Sequence, residues 1–189
     1  LYFVLIFSGL TEHLFAFILV FSLYLEIKNK TIAPAVLISF LPFVRSEGLI
    51  IIAVFLFYYL ISSRYKRIPF LLSGHLVYGL AGLLFFHHDF FWTFKQIPYL
   101  KLSSTYGDGG LFDFFSKLYY VTGFPVYALL VLGLILAIIA FFRKPFPYSK
   151  GKGFQKLFLV YGSFAAFFVA HSLFWYLGIF NSMGLGRVM

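Results

Sequence analysis

The chain has 189 residues, of which 62% are hydrophobic, 24% aromatic and 11% charged, with no cysteine. Its mean hydropathy is +0.95, which excludes an ordinary soluble domain, where about 25% of residues are charged, and the missing cysteines exclude disulfides and thiolate metal sites. The formal charge of +9 invites a nucleic-acid partner, but the basic residues are placed as a membrane-topology signal, so no nucleic acid is expected.

Taken in order, Leu1 to Phe7 reads as the end of an apolar span, and further spans are expected at about residues 13–27, 32–44, 48–63, 68–86, 124–142 and 157–180. Several fall short of the roughly 20 residues of a perpendicular crossing, so they require flanking residues or a thinned bilayer, or they stop short. Without alternating polarity a barrel is disfavoured, and backbone groups in hydrocarbon must pair within their own segment, which a helix achieves. The expected fold class is therefore all-α, a polytopic transmembrane helix bundle forming a single domain over residues 1–189. An extracytoplasmic loop at 87–123 is expected to carry an interfacial helix after Gly110, where Leu111, Phe112, Phe114, Phe115, Leu118 and Tyr119 interleave with Asp113, Ser116 and Lys117. The chain starts inside an apolar run and stops after a glycine-rich turn, so a longer membrane protein is expected.

Orientation follows from the cations. Most of the 15 Lys and Arg fall on alternate connections: Lys28 and Lys30, then Arg64, Lys66 and Arg67, then Arg143, Lys144, Lys150, Lys152 and Lys156. These connections are expected in the cytoplasm. The others hold Arg45, Lys95, Lys101, Lys117 and Arg187, balanced by Glu12, Glu47, Asp89, Asp108 and Asp113. Every acid but Glu26 is thus expected outside, and the site with them.

Gly9-Leu10-Thr11-Glu12 reads as a turn and a helix start, with Thr11 as cap and Glu12 in the first turn; Glu12 is either a plain cap residue or an acceptor facing an outer cavity. Arg45-Ser46-Glu47-Gly48 joins two apolar runs. Arg45 and Glu47 either neutralise each other at a helix end or present a held guanidinium to a phosphate. His87-His88-Asp89 contains metal-ligand types, but adjacent histidines rarely converge on one ion, and no metal site is assigned. Lys95, Lys101 and Lys117 read as interfacial lysines, or as the lining of an anionic headgroup path together with Arg187. His171, alone in the last span, reads as a hydrogen-bonded bundle histidine.

Gly9-Leu10-Thr11-Glu12, Arg45-Ser46-Glu47-Gly48, Ile97-Pro98-Tyr99 and Tyr106-Gly107-Asp108-Gly109-Gly110, in this order and topology, resemble the GT-C superfamily of polytopic glycosyltransferases, and the prokaryotic mannosyltransferase-like members in particular. Ser46 stands where such members commonly have proline. The resemblance implies inverting transfer of a sugar from a polyprenyl-phosphate carrier to a glycan, lipid or protein acceptor at the extracytoplasmic face of a prokaryotic plasma membrane. It also implies a catalytic acid in a first outer loop, upstream of Leu1, so no catalytic residue is named here. The candidate substrate-binding residues are Glu12, Arg45, Glu47, Lys95, Tyr106, Asp108 and Arg187. No cofactor is evident, and a divalent metal is not readable from the residues. A transporter or flippase of lipid-linked sugars and a non-catalytic membrane subunit are the alternatives; the clustering of charges at span ends favours the enzyme.

Overall fold

The computed structural model describes residues 11–86, 89–95, 109–143 and 152–177. Among them every regular element is helical and no strand occurs. The expected span at Leu1 to Phe7 lies outside the described residues. The chain divides into two compact units, Leu1–Ile97 with Gln155–Phe167, and Pro98–Phe154 with Phe168–Met189.

In the first unit, α1 covers Thr11–Ile27, α2 Ala33–Ile38, α3 Leu41–Val44 and α4 Gly48–Ile61. The single span expected at 32–44 is thus two short helices. Pro42 explains the break: it has no N–H to give the carbonyl of Ile38, and its ring collides with that carbonyl in a continued helix. The interruption has a structural use, since the Ser39 hydroxyl accepts the Gly74 N–H at 2.8 Å. A side chain at Gly74 would lie 2.3 Å from the Ser39 carbonyl oxygen, so only glycine permits this approach.

The expected span at 68–86 is likewise not one regular helix. A 3-10 helix at Tyr65–Leu72 contains Pro69, α5 follows at Ser73–Ala81, and a π-helical turn covers Gly82–Phe86. Trp92, in the short helix α6 at Trp92–Lys95, packs where a Gly82 side chain would stand and donates its indole N–H to the Tyr78 carbonyl at 3.1 Å.

The core of this unit follows helical spacing. On α4, Gly48, Ile51, Val54, Phe55, Tyr58 and Tyr59 are buried, three and four residues apart on one face. They meet Phe15 and Ile18 of α1, and Ala35, Ile38 and Leu41 of the broken pair. The opposite face of α4 is not polar but exposes Leu49, Phe57, Leu60 and Ile61. In water such a helix is unfavourable, at roughly 25 cal/mol per Å² of exposed apolar area; in lipid it carries no such cost, and close packing holds the helices together.

In the second unit, α7 runs Asp113–Arg143 and is interrupted at Gly123, whose φ of 71° and ψ of 161° are non-helical, with Pro125 two residues on. The arm before the break contains Asp113 to Tyr119 of the residues expected to form an interfacial helix, Leu111 and Phe112 standing in the turn ahead of it, and the arm after the break contains those of the expected span. Asp113 Oδ2 accepts the Gly110 N–H and the Trp175 indole N–H, each at 2.9 Å, which ties the start of α7 to the second-unit part of α8, Lys152–Tyr176. Phe115 meets Phe168 edge-on at 4.7 Å, and His171 is buried.

Tyr65–Phe85, with 21 residues, and Phe158–Tyr176, with 19, are long and apolar enough to cross a membrane. Ala33–Val44, Gly48–Ile61 and Gly123–Leu136 are apolar but shorter.

Candidate functional site

Three of the residues singled out in the sequence converge. Glu12 sits in the first turn of α1. Arg45 follows α3 in extended conformation, with φ −151° and ψ 140°, and Glu47 immediately precedes α4. The turn is closed by the Gly48 N–H on the Arg45 carbonyl at 2.9 Å. A side chain at Gly48 would lie 2.4 Å from the Leu41 carbonyl carbon, so this glycine lets α4 start directly against α3.

Glu47 holds one edge of the guanidinium with both oxygens: Nη2 donates to Oε1 at 2.9 Å and Nε to Oε2 at 3.4 Å. Glu12 takes Nη1 on Oε1 at 2.7 Å, from 33 positions away in sequence. The side chains are 18% exposed for Arg45, 29% for Glu12 and 14% for Glu47. Burial alone would lower the Arg45 pKa, but hydrogen bonding and charge from Glu47, then Glu12, outweigh it and hold the pKa above its ordinary value. The guanidinium is therefore charged at any working pH. Both carboxylates also lie at the N-terminal ends of helices, where the backbone dipole favours negative charge.

A guanidinium carries five N–H donors. Among the described residues Arg45 uses Nε, one N–H of Nη1 and one of Nη2, which leaves a second N–H on each Nη. Glu12 Oε2 is buried and accepts no hydrogen bond among the described residues. The site thus offers a fixed pair of charged donors beside an unused carboxylate acceptor.

Lys95 stands in a separate ion pair with Asp89, which also accepts the Phe91 N–H at 2.9 Å. Tyr106, Asp108 and Arg187, with His87, His88 and Lys101, lie outside the described residues.

A second polar cluster was not foreseen from the sequence. Glu26, fully buried near the end of α1, accepts Tyr58 at 3.2 Å, Tyr59 at 3.1 Å, Arg67 on both oxygens at 2.8 Å, and Arg64. Two matching helix ends create it. At the end of α1 the Lys30 N–H reaches the Leu25 carbonyl and the Asn29 N–H that of Glu26; at the end of α4 the Arg64 N–H reaches Tyr59 and the Ser63 N–H reaches Leu60. In both, the residue after the cap, Asn29 or Ser63, has a positive φ, of 57° and 55°, the left-handed reversal of a Schellman motif. The local sequence signal was Glu26 itself, the one acid of the six not expected outside.

Comparison with protein-family models, with curated proteins and with solved structures finds no match to this chain.

Proposed function

We propose that the chain is the membrane-embedded part of a GT-C-type glycosyltransferase. It transfers a sugar from a polyprenyl-phosphate carrier to a glycan, lipid or protein acceptor at the extracytoplasmic face of a prokaryotic plasma membrane, within a polytopic bundle. The observation that carries this reading is the convergence of Glu12, Arg45 and Glu47, since two of the short motifs behind the resemblance form one site.

In the reaction an acceptor hydroxyl attacks the anomeric carbon and the bond from that carbon to the carrier phosphate breaks, its electron pair remaining on the phosphate oxygen. The acceptor proton passes to a base outside this chain's candidate residues. Arg45 stabilises the charge that grows on the leaving phosphate, and Glu47 holds the fork in place. Such preorganised donors typically lower a barrier by about 2.7–4 kcal/mol each. With two carboxylates on one guanidinium the resting cluster is formally negative, which opposes an anion. The bond that yields is the single one to Glu12, the most exposed of the three; phosphate takes that place on Nη1, and the released Glu12 accepts sugar hydroxyls.

Membranes containing the protein and membranes lacking it are given a labelled polyprenyl-phosphate sugar. The reading expects protein-dependent passage of label to an acceptor with release of free polyprenyl phosphate. Movement of intact donor across the membrane without release of the carrier identifies a transporter instead, and equal turnover in both membranes contradicts the proposal.

A further inference from the structure

The cluster around Glu26 does more than join helices, because it leaves cationic donors over. Arg64 and Arg67 each place Nη1 on the buried carboxylate, and Arg64 Nη2 reaches the Asn29 side chain at 3.4 Å. With five N–H groups on each guanidinium, both arginines keep donors beyond those Glu26 takes, and their side chains are 18% and 15% exposed. Each guanidinium also lies over a tyrosine ring, Arg64 over Tyr58 at 5.6 Å and Arg67 over Tyr59 at 5.8 Å. The carboxylate and the two rings therefore fix the direction of both side chains before any ligand arrives.

The surroundings indicate the ligand. Lys28, Lys30 and Lys66 are exposed, so the two turns that end α1 and α4 carry three more cations beside the two arginines paired with Glu26. Next to them along the chain, Ile27, Ile32, Ile61 and Tyr65 expose 41%, 41%, 54% and 59% of their surface. Cations interleaved with exposed apolar side chains match a ligand with an anionic head and a hydrocarbon tail; free phosphate would leave the apolar groups in water. We propose that Arg64 and Arg67, oriented by the buried Glu26, bind the phosphate of an anionic membrane lipid at the bilayer face opposite the Glu12–Arg45–Glu47 site. The two clusters lie at the two ends of α1, about 21 Å apart along the helix. This site requires only a bilayer at that end, and stands whether or not the transferase reading holds.

Glu26 gives the test its sign. If the basic end attracts lipid by net charge alone, Glu26→Gln strengthens binding, since it removes the one negative charge. If Glu26 positions the arginines, the same change weakens binding, because the three bonds from Arg64 and Arg67 that aim them lose their charged acceptor. Binding of short-chain phosphatidylglycerol is measured on the protein in nonionic detergent, beside phosphatidylcholine and inorganic phosphate. The proposal expects saturable phosphatidylglycerol binding that phosphatidylcholine and inorganic phosphate do not match. Arg67→Gln should weaken it roughly tenfold or more, Glu26→Gln should weaken it, and Lys66→Gln should change it less than about threefold. Equal binding of the two lipids, equal competition by inorganic phosphate, or tighter binding by Glu26→Gln overturns it. Should Glu26→Gln fail to fold, Arg67→Gln against Lys66→Gln decides: equal losses mean undirected attraction, and a much larger loss for Arg67→Gln means an oriented site.

Discussion

Gly48→Ala should destabilise the protein, although alanine is the better helix former. The added carbon would lie 2.4 Å from the Leu41 carbonyl carbon and 2.5 Å from the Pro42 nitrogen, whereas carbon atoms settle at about 3.5–4.0 Å. Both obstacles are backbone, so no rotamer change relieves them, and α3 must move by about an ångström with the Arg45 turn that follows it. Overpacking of this kind costs about 1–3 kcal/mol, against a gain of less than about 1 kcal/mol in helix propensity at a first helical position. The expected net loss is about 1–2 kcal/mol, read as a fall of several degrees in thermal unfolding in detergent. Gly162→Ala is the matched control: its new carbon would meet Phe158 and Val54 at an ordinary 3.8 Å, so the propensity gain of about 0.8–1 kcal/mol should appear as stabilisation. A Gly48→Ala protein as stable as the original, or more so, would refute the packing of α3 against α4 on which the site's geometry rests. Displacing Arg45 by an ångström should also lower transfer by about a hundredfold.

Tyr59→Phe removes one of the donors on Glu26 Oε2, at 3.1 Å, and should cost about 1–2 kcal/mol in the same unfolding assay, whereas Tyr24→Phe, on an exposed residue, should change little. For the topology, single cysteines are introduced by Asn29→Cys and Ser104→Cys. In intact cells an impermeant reagent should label position 104 and not position 29, because the lysine and arginine asymmetry sets orientation; the reverse pattern would invert the proposed arrangement.

What the sequence made legible was local. Composition and uninterrupted apolar runs indicated helices, and Arg45 and Glu47 were close enough along the chain to be read as a pair. Pro42 carried the signal for the break between α2 and α3, but the apolar run masked it. The less legible contacts are long-range. Glu12 meets Arg45 across 33 positions, and Glu26 meets Arg64 and Arg67 across 38 and 41. Glu26 lies at the end of the expected span at 13–27 and was given no partner there; its burial follows from the matched ends of α1 and α4, which only the folded chain brings together. Arg64 and Arg67 were accounted for as topology signals, and that account left no reason to look for a carboxylate partner.

Under the proposed function, Arg45 serves a carrier phosphate in a transfer reaction. Its most direct test is Arg45→Lys, with protein amounts matched, in sugar transfer from the polyprenyl-phosphate donor. Lysine keeps the charge but lacks the fork that Glu47 holds at 2.9 and 3.4 Å, and a point charge does not reproduce paired, directed donors. Removing a donor that acts mainly in the transition state costs about 2.7–4 kcal/mol, a loss of about 10² to 10³ in rate, and this is the result the account expects. Transfer by Arg45→Lys at the rate of the unaltered protein would contradict it and leave Arg45 as an ion pair that only secures the end of α3 against the start of α4.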